Sequence, residues 1–198
     1  MVDNPAANGQ PPGGPFSFRS DRLALDYCAT RMFRGRADGG LELFDRPGAL
    51  AAWLAQSGLL PAPPACASAE VDRAVVLREA VYRLCLARIR GAPLPPDDAA
   101  TVNGVAAGPP VGLALDAAGR VVRQGDATRA LASIARDAVE LLGGGEASRL
   151  RQCARDGCTR LFVDRSRAGR RVWCGMNACG NRVKAVAYRR RRAAGRAP

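Results

Sequence analysis

The sequence predicts an α+β protein in two parts: a mainly helical N-terminal domain with one small β hairpin, then a small cysteine-built domain of hairpin plus basic C-terminal helix. Three observations carry this prediction. Apolar residues recur at helical spacing through most of residues 47–142, two β-rich runs flank a turn at residues 116–119, and four of the seven cysteines fall in the last fifty residues. The chain of 198 residues suits one medium domain with a small appendage. The expected division is a disordered tail at 1–15, a body at 16–145 and a cysteine domain at 146–198.

Charge divides at the same place. From residue 151 onward thirteen Arg and one Lys face only Asp156 and Asp164, so this segment carries the whole net charge of +12. Residues 1–150 balance sixteen Arg against sixteen acidic residues. A neutral body with a basic end is the electrostatic footprint of a nucleic-acid binder. Lys184 is the one lysine, and the Ala-, Gly-, Pro- and Arg-rich composition reads as that of a GC-rich, bacterial genome. No apolar run approaches a membrane span, and the first residues lack the basic and apolar regions of a secretory signal. The expected location is the cytoplasm, where thiols stay reduced.

In chain order, the tail 1–15 has Pro, Gly, Ala and Asn but nothing to bury. The stretch LALDYCAT at residues 23–30 reads either as a short strand or as the first turns of a helix. Asp26 inside it suggests a hydrogen-bonding role or a place in a pocket, and Asp26 with Thr30 is the candidate lining of a ligand pocket. After a Gly- and Arg-rich loop, Asp45 is a candidate cap, Pro47 suits a first turn, and Leu50, Trp53 and Leu54 form a helical stripe. The longest helix is expected from Ser68 to Arg90, closed by Gly91, with Cys85 on its core stripe. A further helix should start near Pro96, a hairpin should turn at Asp116–Gly119, and Asp126 should cap a last helix of the body ending in Gly143–Gly145. With no histidine and no dinucleotide fingerprint, nothing in the sequence asks for an enzyme, and none is expected.

In the cysteine domain two C-x4-C pairs, Cys153/Cys158 and Cys174/Cys179, are separated by fifteen residues. Each pair places two thiolates at one turn, and two such turns together make the tetrahedral sulfur cage that Zn2+ prefers. Redox pairing and an iron–sulfur cluster are the weaker alternatives. Asp156 and Gly157 supply the first turn, Leu161–Val163 return as a strand, and Phe162 and Trp173 are the large aromatics near the cage. A helix is expected from about Asn177 to Arg192, with Val183, Val186 and Ala187 packing on the hairpin and both flanks basic. The cage itself needs cationic neighbours, for which Arg171 and Arg182 are candidates. The whole reads as a treble-clef-like zinc domain.

These residues resemble a known family. The run C-x4-C, F-x-D, R-x-W-C-x-M-x-x-C-G-N-R-x-K and Y-R-x-R, over about residues 149–192, is similar to the CGNR zinc finger, with Cys179, Gly180, Asn181 and Arg182 as its eponymous tetrad. That finger is typically the C-terminal part of bacterial proteins with an N-terminal ABATE domain, described as stress-induced transcription regulators. LALDYCAT resembles the LxLDFxNT opening of that domain, with Ala29 where the family has Asn. The resemblance implies a zinc-dependent, DNA-binding transcription regulator whose body senses a small-molecule effector or mediates self-association, as in a homodimer. Arg182, Lys184, Arg189, Arg190, Arg191 and Arg192 are the expected DNA contacts. The alternative is a zinc-stabilised RNA-binding or protein-interaction module, with Tyr188 or Trp173 available to stack on bases.

Overall fold

The computed structural model describes residues 15–194, without the side chains of Arg190, Ala193 and Ala194. The tail expected at 1–15 lies, but for Pro15, outside the described residues. LALDYC forms helix α1 (Leu23–Cys28), every residue of which is buried. A helix of six residues needs help at its start. Asp137, far along the chain, supplies it by accepting the Ala24 N–H at 2.8 Å. Arg22 then bonds Asp137 at 2.9 Å and Glu146 at 2.8 Å, so that the entry to α1 is tied to two later segments.

The Gly- and Arg-rich loop is the tip of a small hairpin. Strand β1 (Arg31–Met32) pairs antiparallel with β2 (Leu41–Glu42). Gly40 has φ +76°, and a side chain there would sit 2.3 Å from the Met32 carbonyl oxygen, so the return of the chain beneath β1 requires glycine. Helix α2 (Pro47–Gln56) starts on Pro47 as expected, but Asp45 does not cap it. The Asp45 carboxylate instead pairs with the neighbouring Arg46 at 2.9 Å, and this competes with any bond to the helix N–H groups.

Helix α3 (Ser68–Arg90) has the predicted limits. Glu70 in its first turn accepts the Ala67 N–H at 2.9 Å, and Gly91 closes it with φ 66°. Helix α4 (Pro96–Ala106) leads into the antiparallel pair β3 (Gly112–Leu115) and β4 (Val121–Gln124), where Asp116 accepts the N–H groups of Ala118 and Arg120 in the turn. Asp126 caps helix α5 (Ala127–Gly143) through the Arg129 N–H at 2.8 Å.

These helices enclose an aromatic centre in which Trp53 meets Tyr27, Phe44 and Phe18 at centroid separations of 5.4, 6.1 and 5.7 Å. Tyr27 donates its hydroxyl to the Ala74 carbonyl, which lets a polar ring sit fully buried. Cys28 and Cys85 are buried free thiols of this core.

A short 3-10 turn (Gly145–Arg149) then delivers β5 (Leu150–Gln152), antiparallel to β6 (Leu161–Val163). Alternation along β6 sends Leu161 and Val163, with Leu150 opposite, into the core of the body. Phe162 points the other way, among the cysteines. A wide helical turn (Met176–Gly180), in which the Gly180 N–H reaches back five residues to Gly175, opens helix α6 (Asn181–Ala194). Of Val183, Val186 and Ala187, expected to pack on the hairpin, Val183 and Ala187 are half-buried and Val186 is not covered. Val186 is 41% exposed, and the main neighbour of α6 is the turn that precedes it. The predicted class holds: a mainly helical N-terminal part with small hairpins, then a hairpin plus helix around four cysteines. No helix among the described residues is long and apolar enough to cross a membrane.

Candidate metal centre and nucleic-acid interface

The local sequence brings the two cysteine pairs together by ordinary turn chemistry. Cys153 leaves β5, its N–H bonded to the Arg160 carbonyl, and the chain reverses at Gly157, φ 71°, to reach Cys158. Asp164 organises the second approach: it accepts the Ser166 N–H at 2.9 Å, the Ser166 hydroxyl at 2.6 Å and the Arg171 N–H at 3.0 Å. Ala154 N–H bonds the Val172 carbonyl and fastens the two knuckles side by side.

As a result the four sulfurs lie within 4.8 Å of one another, with Cys174 to Cys179 at 3.5 Å and Cys179 to Cys158 at 3.8 Å. Zinc–thiolate bonds of about 2.3 Å put the corners of a tetrahedron about 3.8 Å apart. The donor set therefore fits Zn2+, held by Cys153, Cys158, Cys174 and Cys179. Four thiols this close oppose one another's ionisation. Cys153 is pulled well below the ordinary thiol range by hydrogen bonds from Cys158 and Cys174. Cys174 is pushed well above it by bonding to Cys153, and burial raises Cys179 to about 11. A divalent cation removes that conflict and is stabilised by the sulfur charge in return.

Arg171 is the cationic neighbour that such a site needs. Its guanidinium donates to the carbonyls of Trp173 at 3.1 Å and Cys174 at 2.6 Å, lies 4.4 Å over the Phe162 ring, and pairs with Asp21 of the body at 2.6 Å. One side chain thus braces the cysteine turn and anchors it to the start of α1. Arg182, the other candidate, is exposed at the opening of α6 and borders a cavity beside the cysteines.

Lys184, Arg189, Arg191 and Arg192 are exposed along α6, and Arg192 lies 5.8 Å over the ring of Tyr188, itself 54% exposed. The side chain of Arg190 lies outside the described residues. Among the described residues none of the α6 cations makes an ion pair, whereas Arg160, Arg165 and Arg171 of the same segment each have a carboxylate partner.

Asp26 and Thr30 are buried and hydrogen-bonded within the body. Asp26 is buried and accepts the N–H groups of Arg19 and Ser20 at 2.8 and 2.9 Å, with Arg160 3.8 Å away. Thr30 donates to the Tyr27 carbonyl at 2.7 Å and accepts from Arg78 at 3.1 Å. Burial outweighs the attraction of Arg160 and raises the Asp26 carboxyl from 3.8 to about 6. A raised carboxyl means that the folded state binds the proton more tightly than the unfolded one. The contribution of Asp26 to stability should be full below pH 3.8 and decline as pH rises through about 6, to a cost of about 3 kcal/mol. Asp26→Asn keeps the acceptor oxygen and loses the charge. Its unfolding free energy, measured across that window, should lack this decline; a parallel pair of curves would refute the assignment.

Comparison with known families matches this geometry. The ABATE family model, described as "Putative stress-induced transcription regulator", matches residues 21–145, and the CGNR zinc-finger model matches residues 149–192. No curated protein matches the chain.

Proposed function

Since the chain belongs to the ABATE family and carries a CGNR zinc finger, we propose that it is a regulator that binds duplex DNA through α6, with zinc setting the helix in place. The observation that carries this reading is the bare positive helix. Arg182, Lys184, Arg189, Arg191 and Arg192 have no ion-pair partner among the described residues, and α6 contains no acidic residue. Unpaired cations on one projecting helix are what phosphate contacts require, because each neutralised phosphate releases a condensed counterion. Arg189 to Arg192, Arg190 included, and Lys184 would contact phosphates, and Arg182 at the helix start would lie nearest to a groove. The role is binding rather than catalysis.

The test is a salt titration of the zinc-loaded chain on fluorescent duplex, with matched RNA in parallel. Replacing Arg189, Arg191 and Arg192 by Glu should lower duplex affinity by about a hundredfold or more and flatten the log–log salt slope by about three. Zinc content should not change. Unchanged affinity and slope would sink the proposal. Tighter binding to single-stranded RNA would favour the stacking reading that the exposed Tyr188 ring permits.

A further inference from the structure

A cavity of about 220 Å3 lies between the β1–β2 hairpin of the body and the cysteine turns. Cys158, Cys174 and Cys179 of the candidate metal centre form part of its wall. Cys153 does not line it, and most of its wall comes from residues that are not candidate ligands, among them Met32 and Phe33 on one side and Thr159 and Ala178 on the other. The two sides are joined directly, since the Arg34 N–H donates to the Thr159 hydroxyl at 3.4 Å.

We propose that this cavity binds a small monoanion with a flat apolar body, a carboxylate in chemical class. Charge gives the sign. Arg31, Arg155, Arg160 and Arg182 line the cavity, and no carboxylate does. Asp26, 3.8 Å from Arg160, offsets part of this charge, and the lining favours an anionic occupant.

Arg155 gives the position. Its Nε is buried and has no hydrogen-bond partner among the described residues, and its guanidinium sits 5.5 Å over the ring of Phe33. A buried donor without an acceptor is uncommon in native proteins and calls for a cause. A carboxylate in the cavity would accept from the terminal nitrogens of this guanidinium, a pairing that arginine favours.

Phe33 gives the flat apolar part. It holds φ 57°, a left-handed conformation that is costly for a bulky side chain. The close passage of Gly40 under the carbonyls of Met32 and Phe33 keeps it there. Such strain is retained mainly where the surroundings fix it, and it recurs at ligand clamps. The strain presents ring and thioether as an apolar wall beside the arginines. The space takes one ring and is below the usual size of sites for larger ligands, roughly 300 Å3 and upward. This inference is independent of the DNA reading, although an occupant touching Arg182 would also touch the first turn of α6.

The experiment titrates benzoate, with neutral benzamide as control, into the zinc-loaded full chain and follows binding by calorimetry and ligand-observed NMR. Benzoate should saturate a single site in the millimolar range or tighter, and benzamide should bind about tenfold more weakly or worse. Arg155→Met, with zinc content and melting temperature checked, should weaken benzoate by about tenfold or more, and Phe33→Ala should weaken both probes. The triple α6 charge reversal should leave benzoate binding intact, which separates failure here from failure of the DNA reading. Absent saturation, equal binding of benzamide, or full benzoate affinity in a folded, zinc-loaded Arg155→Met chain would each overturn the proposal.

Discussion

Stripping the zinc from the full chain, or replacing Cys158 by Ser, should abolish duplex binding while leaving the helical body folded. The reason is where each part finds its support. The turn Met176–Gly180 and α6 are held mainly by the cysteine cluster and by each other. Structural zinc contributes on the order of 10 kcal/mol to sites of this kind, far more than an exposed helix of fourteen residues can supply from its own propensity. Losing the metal should therefore melt α6. The body keeps its aromatic centre and its long helices, none of which depends on the cysteines. The expected result is a fall in duplex affinity of at least about a thousandfold, with a loss of helical circular dichroism matching α6 alone and a retained cooperative melt of the remainder. If duplex binding survived quantitative chelation, α6 would not need zinc to act, and the metal would have to serve something else.

The second large effect concerns the body. Arg78 is 0% exposed and is committed on every side: to Glu42 at 2.6 and 2.5 Å, to Glu79 at 2.8 Å and to the Thr30 hydroxyl at 3.1 Å. Glu79 is shared with Arg34, 2.9 Å away. Arg78→Met keeps much of the length and apolar stem, so little cavity forms. The cost comes from Glu42, which loses its counter-charge, and from Glu79, left with Arg34 alone, about 3 kcal/mol once the partial exposure of Glu42 is allowed for. In a chain of this size that lowers the melting temperature by about 10 °C. Burial opposes ionisation of Glu42 and Glu79, but the guanidinium bonds outweigh it and hold both below the ordinary value of 4.5. Their contribution is present above pH 4.5 and is lost as pH falls through the depressed values. Acid should thus narrow the gap between wild type and Arg78→Met. A gap that stayed constant down to pH 3 would mean that the loss is one of packing.

What could be read in the sequence was local. The limits of α3 follow from a helix-compatible run closed by Gly91, the start of α5 from Asp126, and the cage from paired thiols with four residues between them at two turns. Each of these signals is complete within a few residues. The misses are long-range or too short to carry a pattern. Strands β1 and β2 have two residues each, and the only trace of their hairpin was the Gly39–Gly40 pair. That LALDYC is a helix depends on Asp137, more than a hundred positions away. Val186 was assigned to a packed face because helical spacing defines a stripe without saying whether anything covers it. The cavity at Phe33 and Arg155 joins side chains whose neighbourhood exists only after folding, and a phenylalanine forced to positive φ leaves no mark in composition.

Strand β6 carries a consequence for how such a chain can change by recombination. Leu161 and Val163 belong to the core of the body while Phe162 belongs to the cysteine cluster, so three consecutive side chains serve two neighbours. A fusion that borrowed only residues 146–198 would inherit the thiols and the arginines together with a greasy strip formerly covered by α1 and α3. The basic end of this chain is therefore not a portable cassette: wherever it is transplanted, a matching apolar socket has to travel with it.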